Sequence, residues 1–210
     1  MTESPRLHLP APTDIRGYGL RLRAWRADDA SDLTAMLRGV TDPDFLRWNT
    51  PLVPVTTEAD AAQAVRARAE GWERGEMAHF CVTEDATGAT GATGPAEGPV
   101  VGHIGLGMID LRMRTGRVGY WVLPEARGRG VARRALELCT RWAFESAGLH
   151  RIDLGHAIGH DASCRIAVRC GYLAEGALRD AMFDSGRMDV FRDVHLHARL
   201  SSDAAPLDIE

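Results

Sequence analysis

The most constraining feature of this chain is a change of hydrophobic period across the segment Arg127–Gly130. Before it, residues 118–123 have the pattern of a strand, which Pro124 breaks. After it, apolar residues recur at helical spacing between positions 130 and 147, and Gly148 is suited to end that helix. The pattern therefore predicts a strand, a short glycine loop and a helix in direct succession.

Hydrophobic patterning elsewhere predicts an α+β domain around one sheet. Strands are expected at residues 18–25, 78–84, 100–109, 118–123, 151–154 and about 190–200, the last with Val194, Leu196, Ala198 and Leu200 on one face. Helices are expected from Asp28, from a capping box at Thr57 and Asp60 to about Trp72, after Gly130, and from an Asp161 cap to Gly171. A turn is expected at Gly116.

The length of 210 residues is typical of one domain with a large enough core to fold without disulfides or metal ions. We expect an N-terminal arm at 1–16, a single domain at 17–200 and a C-terminal tail at 201–210. Residues 85–99 are of low complexity and rich in Gly and Pro, which predicts a flexible hairpin loop.

Composition excludes several classes of protein. The net charge of −4 disfavours a dedicated nucleic-acid binder. All 25 basic residues are Arg, so no lysine is present for a Schiff base or a P-loop. No signal peptide or membrane span is expected. The four cysteines lack CxxC spacing, which indicates reduced thiols in a cytoplasmic protein.

The glycine loop before the helix favours an anion site. Gly128 and Gly130 let backbone N–H groups approach a ligand, and the helix N-terminus adds free donors and a positive dipole end. Arg127 and Arg129 could add charge-assisted bonds, so a phosphate or pyrophosphate is the expected ligand. A solvated turn is the alternative. The Rossmann and P-loop patterns are both absent.

This segment resembles the acetyl-CoA-binding motif of GNAT-family N-acetyltransferases, Arg/Gln-x-x-Gly-x-Gly/Ala, matched by Arg127, Gly130 and Ala132. The flanking residues over 100–200 are similar to the ribosomal-protein N-terminal acetyltransferase (RimJ/RimL-like) branch. That branch's second motif is matched by Ser163, Arg165, Gly171, Tyr172, Glu175 and Gly176. The resemblance implies the GNAT fold, a mixed and mostly antiparallel twisted sheet flanked by helices. It also implies that the cofactor lies between two splayed parallel strands, 118–123 and 151–156.

The resemblance further implies direct transfer of an acetyl or longer acyl group from acetyl-CoA to a primary amine of a peptide N-terminus or a small molecule. The pantetheine contacts carry over to the backbone of Val122 and Leu123. The pyrophosphate contacts carry over to Arg127, Gly128, Arg129, Gly130, Val131 and Ala132. Ser163 is expected to border the thiol end, either as general acid or as a capping residue of the helix's first turn. The resemblance also implies a homodimer.

The chain departs from the family pattern at three positions. His160 stands where relatives usually have Asn, which alters one expected cofactor contact. Arg117 stands where many relatives have a Glu that is a candidate general base. Ala167 stands where another branch has a Tyr that acts as the general acid. The general base is therefore unassigned, with water or one of four side chains as candidates: His103, Asp110, Asp184 and Asp189. These departures keep open a non-catalytic acyl-CoA sensor or partner module.

No metal site is expected from the sequence. His195 and His197 share a strand face with Asp193, but the pattern supplies no third ligand, which favours a polar sheet face. His156 and His160 are four residues apart across a strand-to-loop passage, where helical ligand spacing does not apply. Cys164 has no evident activating base, and a packing thiol is favoured over a covalent acyl carrier.

Overall fold

The computed structural model describes residues 8–85 and 97–206. Its strands are β1 (Ile15–Gly17), β2 (Leu20–Ala24), β3 (Ala78–Asp85), β4 (Glu97–Asp110), β5 (Thr115–Val122), β6 (Arg151–Ala157), β7 (Leu173–Asp184) and β8 (Arg187–Leu200). Within the described residues these strands form one sheet in the order β1-β2-β3-β4-β5-β6-β8-β7. Neighbours are antiparallel except β5 and β6, which run parallel. The expected mixed, mostly antiparallel sheet is confirmed.

The helices of the described residues are α1 (Ala30–Val40), α2 (Pro43–Trp48), α3 (Glu58–Glu73), α4 (Val131–Glu145) and α5 (Asp161–Arg169). The capping box of α3 is confirmed, since Thr57 Oγ1 accepts from the Asp60 N–H and the Asp60 carboxylate accepts from the Thr57 N–H. Helix α2 was not predicted, because six residues are too few for a helical period to be recognised. Its local signal was an Asp42 cap followed by Pro43 in the first helical position.

Helices cover both faces of the sheet. On one face, Trp142 of α4 packs against Phe80 of β3 in a cluster that also includes Ile152 of β6. On the other face, α1 and α3 cover a cluster that includes Trp121 of β5. Because side chains alternate along a strand, β5 contributes to both cores, and its C-terminal end lies between the two helical layers.

The N-terminal arm and the turn before β5 differ from the sequence-based expectation. Ile15 and Arg16 belong to β1 and pair with β2, and Leu9 is buried in the core, so the chain joins the sheet before residue 17. The turn before β5 lies at residues 111–114, and Gly116 is already within the strand. The reason is that Asp110 accepts backbone N–H groups of that turn, which closes it earlier.

Strand β8 lies between β6 and β7, and its C-terminal half is largely covered on both faces, whereas the residues at its start are mostly exposed. Val194 and Ala198, which were predicted to share one face, are buried, and the opposite face carries the buried His197 and Arg199. Ile152 and Leu154 of β6 lie opposite these two polar residues. Alternation indicates which face is apolar, but it does not show that the polar face is also covered.

Two segments predicted from the sequence lie partly outside the residues that the structure describes. Residues 86–96 of the predicted flexible loop are outside the described residues, while Asp85 and Glu97 pair across β3 and β4. Residues 201–206 of the predicted tail follow β8, and 207–210 are outside the described residues. Among the described helices, none has the length and apolar character needed to cross a membrane.

Candidate active site

The parallel strands β5 and β6 separate along their length. They pair only from Thr115 and Arg151 to Arg117 and Asp153, although β5 continues to Val122 and β6 to Ala157. The Leu123 N–H donates to the Val101 carbonyl on the β4 side. Because backbone groups alternate along a strand, the Val122 N–H faces the open edge toward β6.

A cavity of about 450 Å³ lies beside this open edge. It is bounded by α2, the end of β5, the start of α4 and one side of α5. Of the sequence-predicted cofactor residues, Val122, Arg127, Gly128, Gly130, Val131, Ala132 and His160 line it. Leu123, Arg129 and Ser163 are not among its lining residues: Leu123 is buried in the core against α1 and α3, Arg129 is exposed, and Ser163 is buried in α5.

The N-terminus of α4 opens into the cavity without a side-chain cap. Gly128 and Gly130 have φ of +72° and +71°, a region that favours glycine, and Gly130 is the N-cap. The first turn contains no acidic residue. The Arg134 N–H donates to the Gly130 carbonyl, so the N–H groups of Val131 and Ala132 precede the helical bonding pattern. This end of the helix is suited to an anion.

The two arginines of the loop are engaged by protein carboxylates. The Arg127 guanidinium forms an ion pair with Asp42, the N-cap of α2, and its Nε donates to the Val122 carbonyl. The Arg129 guanidinium forms an ion pair with Glu84 of β3. Because both guanidiniums are paired with carboxylates, the loop backbone and the helix end are better placed than these side chains to donate to an anion.

A pair of hydroxyl groups lies at the wall of the cavity. Tyr120 lines the cavity, and its hydroxyl lies 2.9 Å from Ser163 Oγ. Burial raises the pKa of Tyr120 to about 12, so its hydroxyl is protonated at neutral pH and can donate. Sequence reasoning selected Ser163 and missed Tyr120, although Tyr120 lies in the strand already assigned to the cofactor. The cap of α5 is His160, not Asp161, which occupies the first helical position.

The four side chains considered as bases lie away from the cavity lining. His103 is buried and accepts from Trp25 Nε1, and Asp110 accepts from the turn before β5. Asp184 and Asp189 belong to the β7–β8 hairpin and face Arg192 and Arg187.

His160, in contrast, lines the cavity. Its ring stacks on Trp48 of α2 at a centroid distance of 4.5 Å and an angle of 4°. Burial, followed by the charge of His156, lowers the pKa of His160 below 6.5, so the neutral imidazole predominates at neutral pH. This ring can therefore accept a proton within the cavity.

A second group of side chains meets where the sequence showed only separate residues. His156, Cys164, His195 and His197 each place one ligand atom within 4.8 Å of the others. They come from β6, α5 and β8. The sequence pattern placed His195 and His197 on one strand face. It did not show that His156 and Cys164 lie beside them, because that proximity depends on the pairing of β6 with β8.

Comparison with known proteins identifies the family. Residues 19–173 match the Acetyltransferase (GNAT) domain. The Bacillus subtilis (strain 168) protein YdaF is 32% identical over 90 residues, which is 43% of this chain and about half (49%) of that protein. The ribosomal-protein-serine acetyltransferase of Escherichia coli (strain K12) is 25% identical over 146 residues, or 70% of this chain and 73% of that protein.

A solved structure shows the same fold. Mycobacterium smegmatis RimJ in complex with CoA-disulfide superposes with a TM-score of 0.75 and 20% identity, over 92% of this chain and 90% of that chain. Three observations point to the same family: the separated parallel strands, the uncapped helix after the glycine loop and the match to the domain model. The chain belongs to the GNAT family of acetyltransferases.

Proposed function

We propose that this chain transfers an acetyl group from acetyl-CoA to a primary amine by direct attack of the amine on the thioester. The observation that carries the proposal is a single cavity that joins the uncapped N-terminus of α4 to the open edge of β5. This cavity offers anion donors at one end and strand hydrogen-bonding groups at the other, as a molecule with a pyrophosphate and a pantetheine arm requires.

The loop and helix end are proposed to hold the pyrophosphate. The N–H groups of residues 128–132 supply donors, and the helix dipole favours negative charge. Arg127 fixes the geometry of the site by holding α2 through Asp42 and by donating to the Val122 carbonyl. The Val122 N–H, on the open edge, is proposed to bond the pantetheine or the thioester oxygen. A preorganised donor at that oxygen stabilises the charge that develops during acyl transfer.

Tyr120 and Ser163 are proposed to protonate the departing thiolate. Tyr120 reaches the cavity, and Ser163 Oγ can return a proton to the Tyr120 oxygen across 2.9 Å. A free thiol has a pKa of about 8.5, so the thiolate is already a tolerable leaving group near neutrality. Acid assistance is therefore expected at or below the low end of the roughly 10²–10⁴-fold range of general acids.

His160 is proposed to take the proton from the attacking amine. It is the neutral imidazole within the cavity, and Trp48 holds its ring in one plane. Asp44 also lines the cavity, and its carboxylate lies 3.7 Å from the Arg127 guanidinium.

The acceptor is proposed to be the N-terminal amine of a protein, supported by the similarity to the ribosomal-protein-serine acetyltransferase. The test is thiol release from acetyl-CoA by the full chain with peptides of different N-terminal residues and with polyamines. N-terminally blocked copies of the same peptides are the matched controls. Amine-dependent release with free peptides supports the proposal. Acetyl-CoA binding without release for any amine would instead identify a sensor module.

A further inference from the structure

A cluster of four side chains lies outside the chemistry proposed above, on the face of the sheet that α5 covers. His156 of β6 and His195 of β8 are directly opposed in the strand pairing, and His197 lies two residues farther along β8. Cys164 of α5 lies over them, with its Sγ 3.8 Å from His195 Nδ1. One ligand atom of each of the four lies within 4.8 Å of the others.

Backbone carbonyls set the orientation of two of these rings. His156 Nδ1 lies 3.0 Å from the Ala157 carbonyl, and His197 Nδ1 lies 3.3 Å from the Tyr172 carbonyl. A carbonyl oxygen only accepts, so each Nδ1 carries the hydrogen and each Nε2 presents a lone pair. Backbone carbonyls commonly hold metal-binding histidines in this way.

Both Nε2 atoms are buried without a hydrogen-bond partner among the described residues. His156 is 7% exposed and His197 is 0% exposed. A buried polar atom without a partner destabilises the fold, so such atoms call for an explanation.

We propose that His156, Cys164, His195 and His197 form a binding site for a Zn²⁺-type divalent transition metal. Three imidazoles and one thiolate are ligands that Zn²⁺ accepts, whereas Mg²⁺ and Ca²⁺ prefer oxygen. Binding replaces the water ligands of the hydrated ion, which return to solvent, with three metal–nitrogen bonds and one metal–sulfur bond, and the Cys164 thiol proton also passes to solvent. With four protein ligands the site is closed, which is typical of structural zinc.

The dimensions of the cluster suit this assignment. Zn–N bonds of about 2.0–2.1 Å and a Zn–S bond of about 2.3 Å place tetrahedral ligand atoms about 3.4–3.6 Å apart. The sulfur-to-nitrogen distance of 3.8 Å is already close to this value. The widest separation of 4.8 Å closes if both atoms move inward by roughly 0.7 Å. Cys164 and His195 are partly exposed and provide the route of entry.

The bound metal would join α5 to β6 and β8. Cys164 directly follows Ser163, so the metal would also hold the first turn of α5, which carries the Ser163–Tyr120 contact. The site therefore contributes to stability and to the position of this helix, without taking part in acyl transfer.

The test uses the full chain without an affinity tag, reduced and stripped of metal by a chelator. Zn²⁺ is titrated in competition with a chromophoric chelator, and Co²⁺ is titrated with absorption spectroscopy. Cys164→Ser and His197→Gln are compared with His150→Gln, an exposed histidine outside the cluster. We expect one equivalent of metal, a thiolate–Co²⁺ charge-transfer band in wild type and His150→Gln, and a melting temperature raised by several degrees.

Cys164→Ser should lose the charge-transfer band, and both cluster variants should bind Zn²⁺ at least about tenfold more weakly. Alkylation provides a measurement that needs no variant, because Cys164 is the partly exposed thiol while Cys81, Cys139 and Cys170 are buried. Zn²⁺ should slow modification of Cys164, identified by peptide mass. Absence of stoichiometric binding, unchanged binding in both cluster variants, or unprotected Cys164 would each overturn the proposal.

Discussion

The hydroxyl of Tyr120 lies 2.9 Å from Oγ of Ser163, joining the strand that lines the cavity to the first turn of α5. Tyr120 reaches the cavity, and Ser163 lies outside its lining. In the proposed mechanism, this arrangement makes Tyr120 the direct proton donor and Ser163 the residue that orients and reprotonates it.

Tyr120→Phe should therefore lower kcat more than Ser163→Ala does. We expect a decrease of up to about 10²-fold for Tyr120→Phe, because only the transition state gains from the proton. The Kd for acetyl-CoA should stay within about threefold. Calorimetry and initial rates at saturating donor measure the two quantities.

Tyr172→Phe is the matched control, since Tyr172 shares a 2.7 Å hydroxyl pair with Thr140 in the core, away from the cavity. It should change stability and leave kcat nearly intact. If Tyr120→Phe keeps wild-type kcat at saturation, the hydroxyl pair does not supply the proton.

Ala132→Glu should weaken acetyl-CoA binding without harming the fold. Ala132 is the second residue of α4 and lines the cavity. A carboxylate there interacts favourably with the helix dipole, by about 0.3–1 kcal/mol, yet repels a bound pyrophosphate. We expect affinity to fall at least about tenfold, or about 1.4 kcal/mol, in calorimetric titrations.

Ala132→Gln, with nearly the same shape and no charge, separates repulsion from steric hindrance. It should bind much better than the Glu variant, and the difference should shrink at high salt. Equal affinity of the Glu variant and wild type would place the pyrophosphate elsewhere.

His160→Asn should remove a proton acceptor and introduce the side-chain amide that the family resemblance implies at this position. The pKa of His160 is below 6.5, so a base role predicts that wild-type kcat/KM falls as pH drops through that lowered value. Because the acceptor amine also titrates, the informative quantity is the ratio of wild-type to variant kcat/KM across pH. That ratio should be large above pH 6.5 and decline below it. A ratio independent of pH would argue for water as the acceptor.

Acid sensitivity of the fold should depend on His103. This ring is buried between Trp25 and Trp121, and its Nδ1 accepts from Trp25 Nε1 at 3.0 Å. Burial, followed by the charge of His79, lowers its pKa well below 6.5. In the unfolded chain the group titrates near 6.5, so its contribution to stability is complete above pH 6.5 and is lost as pH falls below that value.

His103→Asn should flatten this dependence by up to about 1.4 kcal/mol per pH unit below 6.5. Urea unfolding at several pH values measures the free energy of unfolding, with exposed His150→Gln as control. Parallel curves for wild type and His103→Asn would show that other groups carry the acid sensitivity.

Local features of this protein were predictable because they depend on neighbours in sequence. The capping box at Thr57 and Asp60 and the left-handed Gly128 and Gly130 follow from backbone preferences of those residues. The period change across this loop predicted β5 and α4. The family resemblance then implied the splayed strands, which the structure confirms.

Contacts between side chains that are far apart in sequence were decided by the tertiary structure alone. Arg127 pairs with Asp42, 85 positions away, through a helix too short to be recognised by period. His156 meets His195 because β8 enters the sheet between β6 and β7, a placement that no local pattern encodes. Sequence periodicity specifies which face of an element is apolar, whereas strand order and register determine which polar groups share the space beneath a helix.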